Sequence, residues 1–224
     1  MFRKYLILMA FLAGCDDGGS KPEGAGGAGG ATPDMGAGGA GGADMGTGEF
    51  ELVPSRKARV KFKGGERALG DLAQALDLDR ATACTELGIY DCVTQVHRIA
   101  LGGVEPYELR INDPLEVIPV TAAIAADRVA LVACGQRVAA DFDDPQNAKV
   151  FKALATGTAS AETLGASVEA LYDRILMRAP TPEEAAALVA LHADVVAEEG
   201  GDGRRTWAKL ACFAVATTLE SLFF

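Results

Sequence analysis

The sequence predicts a mostly α-helical fold: one helical domain of about six to eight helices, with at most a minor β element, preceded by a disordered linker. Three observations carry this. Apolar residues in the second half of the chain recur at three- and four-residue spacing. Two helix starts are written as a capping residue followed by proline, at Asp144-Pro145 and at Thr181-Pro182-Glu183-Glu184. Strand-like alternation is short, at Ala58-Arg59-Val60-Lys61-Phe62, and stops at Gly64-Gly65.

Taken in order, residues 66–78 are expected to form a helix with Leu69, Leu72, Ala73 and Leu76 on one face. Asp79 is placed to cap a short helix running to Leu87. Residues 90–101 carry Val93, Val96 and Ile99 or Ala100 at helical spacing and end at Gly102-Gly103. Pro106, Pro114 and Pro119 make residues 104–119 an extended connector. A long helix is expected over 121–142, its inner stripe read as Ile124, Leu131 and Val138, and a short one from Asp144 to Leu154. Ser160 opens a helix with Leu164, Val168, Leu171, Tyr172 and Ile175 inside. The capping box at Thr181 launches another, with Leu188, Leu191 and Val195 inside, which Gly200, Gly201 and Gly203 end. Residues 204–222 form the last, with Trp207, Leu210, Ala211 and Ala214 facing in. Short loops between these helices imply antiparallel neighbours.

The chain begins with Arg3 and Lys4, then an uncharged apolar run, then Leu12-Ala13-Gly14-Cys15, then the polar Asp16-Asp17-Gly18-Gly19-Ser20. A membrane span needs about 20 apolar residues, more than this run supplies. Leu12-Ala13-Gly14-Cys15 resembles the lipobox of bacterial lipoprotein signal peptides. The resemblance implies cleavage before Cys15, so that residues 1–14 are a signal peptide, and acylation of the Cys15 sulfur, which anchors the chain to a lipid bilayer. The expected location is the cell envelope, with the membrane and its face left open.

Residues 15–50 read as a tether. Positions 16–48 hold 14 glycines, and Gly24-Ala25-Gly26-Gly27-Ala28-Gly29-Gly30 recurs as Gly36-Ala37-Gly38-Gly39-Ala40-Gly41-Gly42. With almost no large apolar side chains, nothing offsets the entropy of ordering this stretch, so a flexible coil is expected. A phosphate-binding glycine loop would need a preceding strand and a following helix, and the sequence has neither there. Residues 51–224 remain for the helical domain, long enough to bury a real core.

Removal of Arg3 and Lys4 takes the 21 basic side chains to 19 against 31 acidic, a formal −12. A nucleic-acid partner is therefore not expected, since phosphate backbones are met by basic patches. Outside the cytoplasm, the four cysteines beyond Cys15 favour disulfides. They are Cys84, Cys92, Cys134 and Cys212, and three pairings are possible. The preferred one is Cys84–Cys92 with Cys134–Cys212, buried thiols being the alternative. In one straight helix Cys84 and Cys92 would stand about 12 Å apart, too far to bridge, so their pairing requires a turn at Gly88.

Two C-terminal stretches carry a second resemblance. They are Leu171-Tyr172-Asp173-Arg174-Ile175-Leu176-Met177-Arg178-Ala179-Pro180-Thr181-Pro182-Glu183-Glu184, and Trp207-Ala208-Lys209-Leu210 with Thr218-Leu219-Glu220-Ser221-Leu222-Phe223-Phe224. Together they resemble the helical tail of large exported bacterial proteins that often accompany cytochrome c domains. The likeness covers about a quarter of the chain and implies a helical pair packed on a larger body. It assigns no catalytic residue, and Thr218-Leu219 departs from the segment found there.

No catalytic, metal or cofactor site is legible. Cys92 and His97 lack the two-cysteine spacing of covalent haem attachment. Cys84, Cys92 and His97 are too widely spaced for structural zinc. Asp141, Asp143 and Asp144 suggest calcium, but Lys152 stands where the calcium loop needs a bidentate glutamate, so capping and solvation are the expected roles. Gly165-Ala166-Ser167-Val168-Glu169 lacks the closing glycine of a nucleophile elbow. His192 is expected at the boundary of an apolar face. Arg110, Arg128 and Arg137 are expected to be paired or exposed, with an anionic partner as the alternative. The leading expectation is an envelope lipoprotein that serves as a protein-interaction or structural module, its partner another exported protein. The alternative is an exported enzyme or a redox or haem-protein accessory using His97 and the Cys84–Cys92 region, and a small-ligand binder is a third.

Overall fold

The computed structural model describes residues 61–114 and 119–224. The leader, Cys15, the tether and residues 58–60 of the expected strand lie outside the described residues. The fold is mostly helical, with a two-stranded sheet as its only paired strands among the described residues. The helices are α1 Gly65–Ala75, α2 Thr121–Asp143, α3 Lys152–Thr156, α4 Ala161–Leu176, α5 Pro182–Glu199, α6 Arg204–Ala216 and α7 Leu219–Leu222. The strands are β1 Thr85–Glu86 and β2 Tyr90–Asp91.

Helix α2 packs chiefly against α6 through small side chains. Ala126, Ala130 and Ala133 on one helix, and Ala208, Ala211 and Ala216 on the other, are buried. A seam of alanines lets the two backbones approach closely, and the Cys134–Cys212 disulfide crosses between these helices. Trp207, fully buried, fills the space beside the seam. Its indole N–H donates to the Leu188 carbonyl of α5 at 2.7 Å, so the ring is buried without stranding its donor.

The inner stripe of α2 is not the one the spacing suggests. Val138 is buried, but Ile124 is 62% exposed and Leu131 is also exposed. Alanine and valine surround this helix on nearly every side, so no apolar period distinguishes one face. The buried face is the one whose side chains are small enough to meet α6. The helix expected from Asp144 is a 3-10 turn, Pro145–Asn147, followed by α3. The Asp144 side chain does not cap it. The last predicted helix breaks into α6 and α7 where the Thr218 hydroxyl caps α7, and Ala214 points outward.

Capping signals translate directly into structure. Ser160 and Thr181 each form a reciprocal capping box. Arg178 holds the second in place, both of its Nη atoms lying 2.8 Å from the Glu184 carboxylate. That guanidinium, with the Thr181 N–H, lowers the Glu184 carboxyl to a pKa of about 2. Arg178 also reaches Glu220 of α7 at 2.8 Å, tying the two C-terminal stretches together.

Asp141 is the largest departure from the sequence reading. It neither caps a helix nor faces solvent: it is fully buried. Its carboxylate accepts the backbone N–H groups of Lys149, Val150 and Phe151 at 2.8, 2.9 and 2.8 Å. Arg137, one turn earlier and also buried, approaches it at 2.6 Å. The Nη1 of Arg137 donates to the Leu76 and Asp77 carbonyls, each at 3.3 Å. Arg174 donates to the Ala75 carbonyl at 3.0 Å. Two cations thus meet the exposed carbonyls at the end of α1, where the helix dipole favours positive charge.

Candidate functional site

The region from Asp79 to Gly103 departs most from helical expectation, and it carries the candidate site. Residues 79–87 form turns and strand β1 rather than a helix, although the Asp79 side chain does accept the Ala81 N–H at 3.0 Å. Residues 90–101 form strand β2, a single π-helical turn at Cys92–Val96, and further turns. The reason is covalent and local. Cys84 and Cys92 are disulfide-bonded, with Cα atoms 5.5 Å apart, a separation no straight helix offers at this spacing. The chain therefore doubles back as a hairpin, pairing Thr85 with Asp91 and Glu86 with Tyr90. Gly88 does supply the turn, at φ +74°, as part of this hairpin rather than as a helix end. The β-forming Thr85, Ile89 and Tyr90 on either side of Leu87-Gly88 were the signal that could have revealed it.

Asp91 then ends the strand. Burial pushes its carboxyl pKa up, but the N–H and hydroxyl of Thr94, the Val93 N–H and Arg80 together hold it below the usual carboxylate range. Gly65 lets α1 press against this turn, since a Cβ there would lie 2.7 Å from the Leu101 Cβ and 2.9 Å from Val93 Cγ1.

His97 and the hairpin come together. His97 Nε2 lies 2.7 Å from one oxygen of Glu86, and Arg128 of α2 reaches the other at 2.8 Å. Glu86 therefore joins the hairpin to the π-helical turn and to α2. This geometry makes His97 a clasp: its Nε2 is engaged by a carboxylate that is itself engaged by an arginine. No nucleophile stands in contact with His97 among the described hydrogen bonds. Cys84 and Cys92, buried and joined, offer no thiolate. Ser167 is buried, its hydroxyl donating to the Thr163 carbonyl at 2.8 Å. His192 sits at a boundary, its Nε2 2.9 Å from the Asp202 carbonyl. Among the described residues no cluster of three or more His, Cys, Asp or Glu side chains could hold a metal ion, and no helix is long and apolar enough to cross a membrane. Of the three arginines, Arg128 and Arg137 are paired, and Arg110 is exposed in the left-handed conformation at φ +55°.

What the site presents is apolar surface. At the hairpin tip Leu87 is 89% exposed and Ile89 71%. Arg128 lies one turn from Ile124 on α2, so its bond to Glu86 sets the hairpin beside the exposed Val120 and Ile124. On the other flank is a groove of about 750 Å³ between the π-helical turn and residues 105–109. Tyr90, Val96, Ile99, Tyr107 and Leu109 line it. The 105–111 loop that forms its far wall is closed by a bridge between Glu105 and Ile111, and Glu105 is also salt-bridged to Arg98.

Leu87 is costly where it stands. It adopts φ +53° beside Gly88, a conformation that costs a bulky L-residue about 1–2 kcal/mol and that asparagine or glycine adopts more readily. Its side chain recovers almost nothing by burial. Met177, 88% exposed and at φ +56°, closes α4 in the same way, but no other exposed large apolar side chain flanks it within two residues.

Compared with family models, with curated proteins and with solved structures, the chain matches none. The site's chemistry is therefore read from its own residues.

Proposed function

We propose that this chain is a lipid-anchored envelope lipoprotein whose helical domain acts by binding another exported protein through the apolar surface of the stapled hairpin. The observation that carries the reading is Leu87: a large apolar side chain held in solvent, in a backbone conformation that disfavours it, at the tip of a disulfide-closed turn. Exposed apolar side chains grouped in this way mark interaction surfaces. The run from Arg3 and Lys4 to Cys15 supports the anchor, and the glycine-rich residues that follow support a tether long enough to let the domain search for a partner. Two acyl chains on Cys15 would hold the protein firmly, at about 0.8 kcal/mol per buried methylene.

Two experiments test this. Replacing Leu87 with Asn puts the favoured Asn-Gly pair into the turn. The Leu87→Asn protein is expected to be more stable by about 0.5–1 kcal/mol in urea denaturation, yet to lose crosslinks to its partner in intact cells. A loss of stability would mean that Leu87 serves the fold, and the interaction reading would lose its support. Separately, Cys15→Ser is expected to move the protein from the membrane fraction to the soluble fraction, with mass spectrometry showing no acyl group. Continued sedimentation of the Cys15→Ser protein with envelopes would rule out the anchor.

A further inference from the structure

The groove beside the hairpin has one candidate occupant within the chain itself. The described domain begins at Lys61, whose backbone pairs with Phe224, followed by Lys63 pairing with Leu222. From there the chain passes Gly64 and Gly65, where a crevice of about 250 Å³ is lined by Lys63, Arg67, Gly102, Gly103 and Arg98. Arg98 also lines the apolar groove, so the point where the upstream chain joins the domain adjoins it. Val53 stands eight positions before Lys61, and eight extended residues span roughly 27 Å. The segment Phe50-Glu51-Leu52-Val53-Pro54 is therefore within reach of the groove, and only its separation from the domain would keep it away.

The chemistry also matches. Phe50, Leu52 and Val53 are the first large apolar residues after the glycine-rich repeat other than Met45. They are followed by Arg56, Lys57 and Arg59, so that residues 55–63 hold five basic side chains and no acidic one in a chain of formal charge −10. The groove offers an apolar lining and negative free charge. Its one cation, Arg98, is occupied by Glu105 and by the Thr94 carbonyl at 2.6 Å, while Glu108 has no ion-pair partner among the described residues. An apolar segment flanked by cations is what such a groove accepts, and an anionic lipid surface is not.

We propose that residues 50–54 dock in the groove between the π-helical turn and residues 105–109, making the end of the tether a self-ligand of the domain. The inference does not depend on the anchor or on the hairpin's partner. It adds that the groove face is covered by the chain's own segment while the hairpin tip and α2 stay free.

Hydrogen exchange read by mass spectrometry tests it, on the chain from residue 15 to Phe224 carrying Cys15→Ser so that it stays in solution. Adding Phe50→Ser and Leu52→Ser should speed exchange in 94–109 about threefold or more. Reciprocally, Tyr107→Ser should speed exchange in 50–54 while leaving α2 and α6 as protected as before. Unchanged exchange in either arm overturns the proposal. Groove protection that rises with protein concentration would overturn it in favour of a second copy. Protection that appears only on adding phospholipid vesicles would overturn it in favour of a lipid surface.

Discussion

Asp141→Ala is expected to leave the domain unfolded or barely folded, with a loss of roughly 3–5 kcal/mol or more in urea denaturation. The carboxylate is fully buried and satisfies three consecutive backbone N–H groups, at Lys149, Val150 and Phe151, besides pairing with Arg137. Truncation strands all three donors and leaves a guanidinium buried without its anion. Each unsatisfied buried donor costs about 1–3 kcal/mol, and the whole stability of a domain is about 5–15 kcal/mol. Two further variants separate the contributions. Asp141→Asn keeps an acceptor oxygen and should fall between the wild type and Ala. Removing both charges, Arg137→Met with Asp141→Ala, should relieve the unpaired guanidinium but still strand the backbone donors, so that recovery is partial. An Asp141→Ala midpoint within about 1 kcal/mol of the wild type would show that water replaces the carboxylate and that the nest is not a keystone.

Replacing Cys134 and Cys212 together with Ala is expected to cost roughly 4–5 kcal/mol in the loop-entropy treatment, the larger of the two disulfide effects. The bridge closes a loop of 78 residues, against 8 for Cys84–Cys92. By the same relation the short loop contributes about 2.5 kcal/mol. Its loss should also act locally, on the hairpin and on Glu86's links to His97 and Arg128. Thermal denaturation of the two double variants provides the comparison. Equal losses, or a greater loss for the Cys84–Cys92 pair, would show that native-state packing around the sulfurs outweighs restriction of the unfolded chain.

Both results concern features the sequence shows unequally. The disulfide pairing could be argued from cysteine number and spacing, because bridge geometry excludes a straight helix between Cys84 and Cys92. The role of Asp141 could not, because its partners are backbone groups eight to ten residues away that become a binding nest only after α2 and α3 are in place. At the candidate site, His97 and the two cysteines were identifiable as a group worth inspecting. Glu86 and Arg128, which engage His97, were not, since they stand 42 residues apart and meet only through packing. The exposure of Leu87 and Ile89 was equally hidden: an apolar residue in sequence is counted as core until a turn carries it outward.

By itself, the sequence determined the helical class, the two capping boxes, the glycine-ended fifth helix and the inner faces of α1 and α4. Each is set within a few residues, by hydrogen bonds a side chain makes to its own turn or by a clear apolar period. The tertiary structure alone decided which face of α2 is buried, that residues 82–92 form a hairpin, and that Asp141 is an internal anion. An alanine-rich helix has no preferred side until a neighbour of matching shape closes on it. A buried carboxylate survives only where distant donors converge, and that convergence is a property of the packed chain rather than of any short stretch of it.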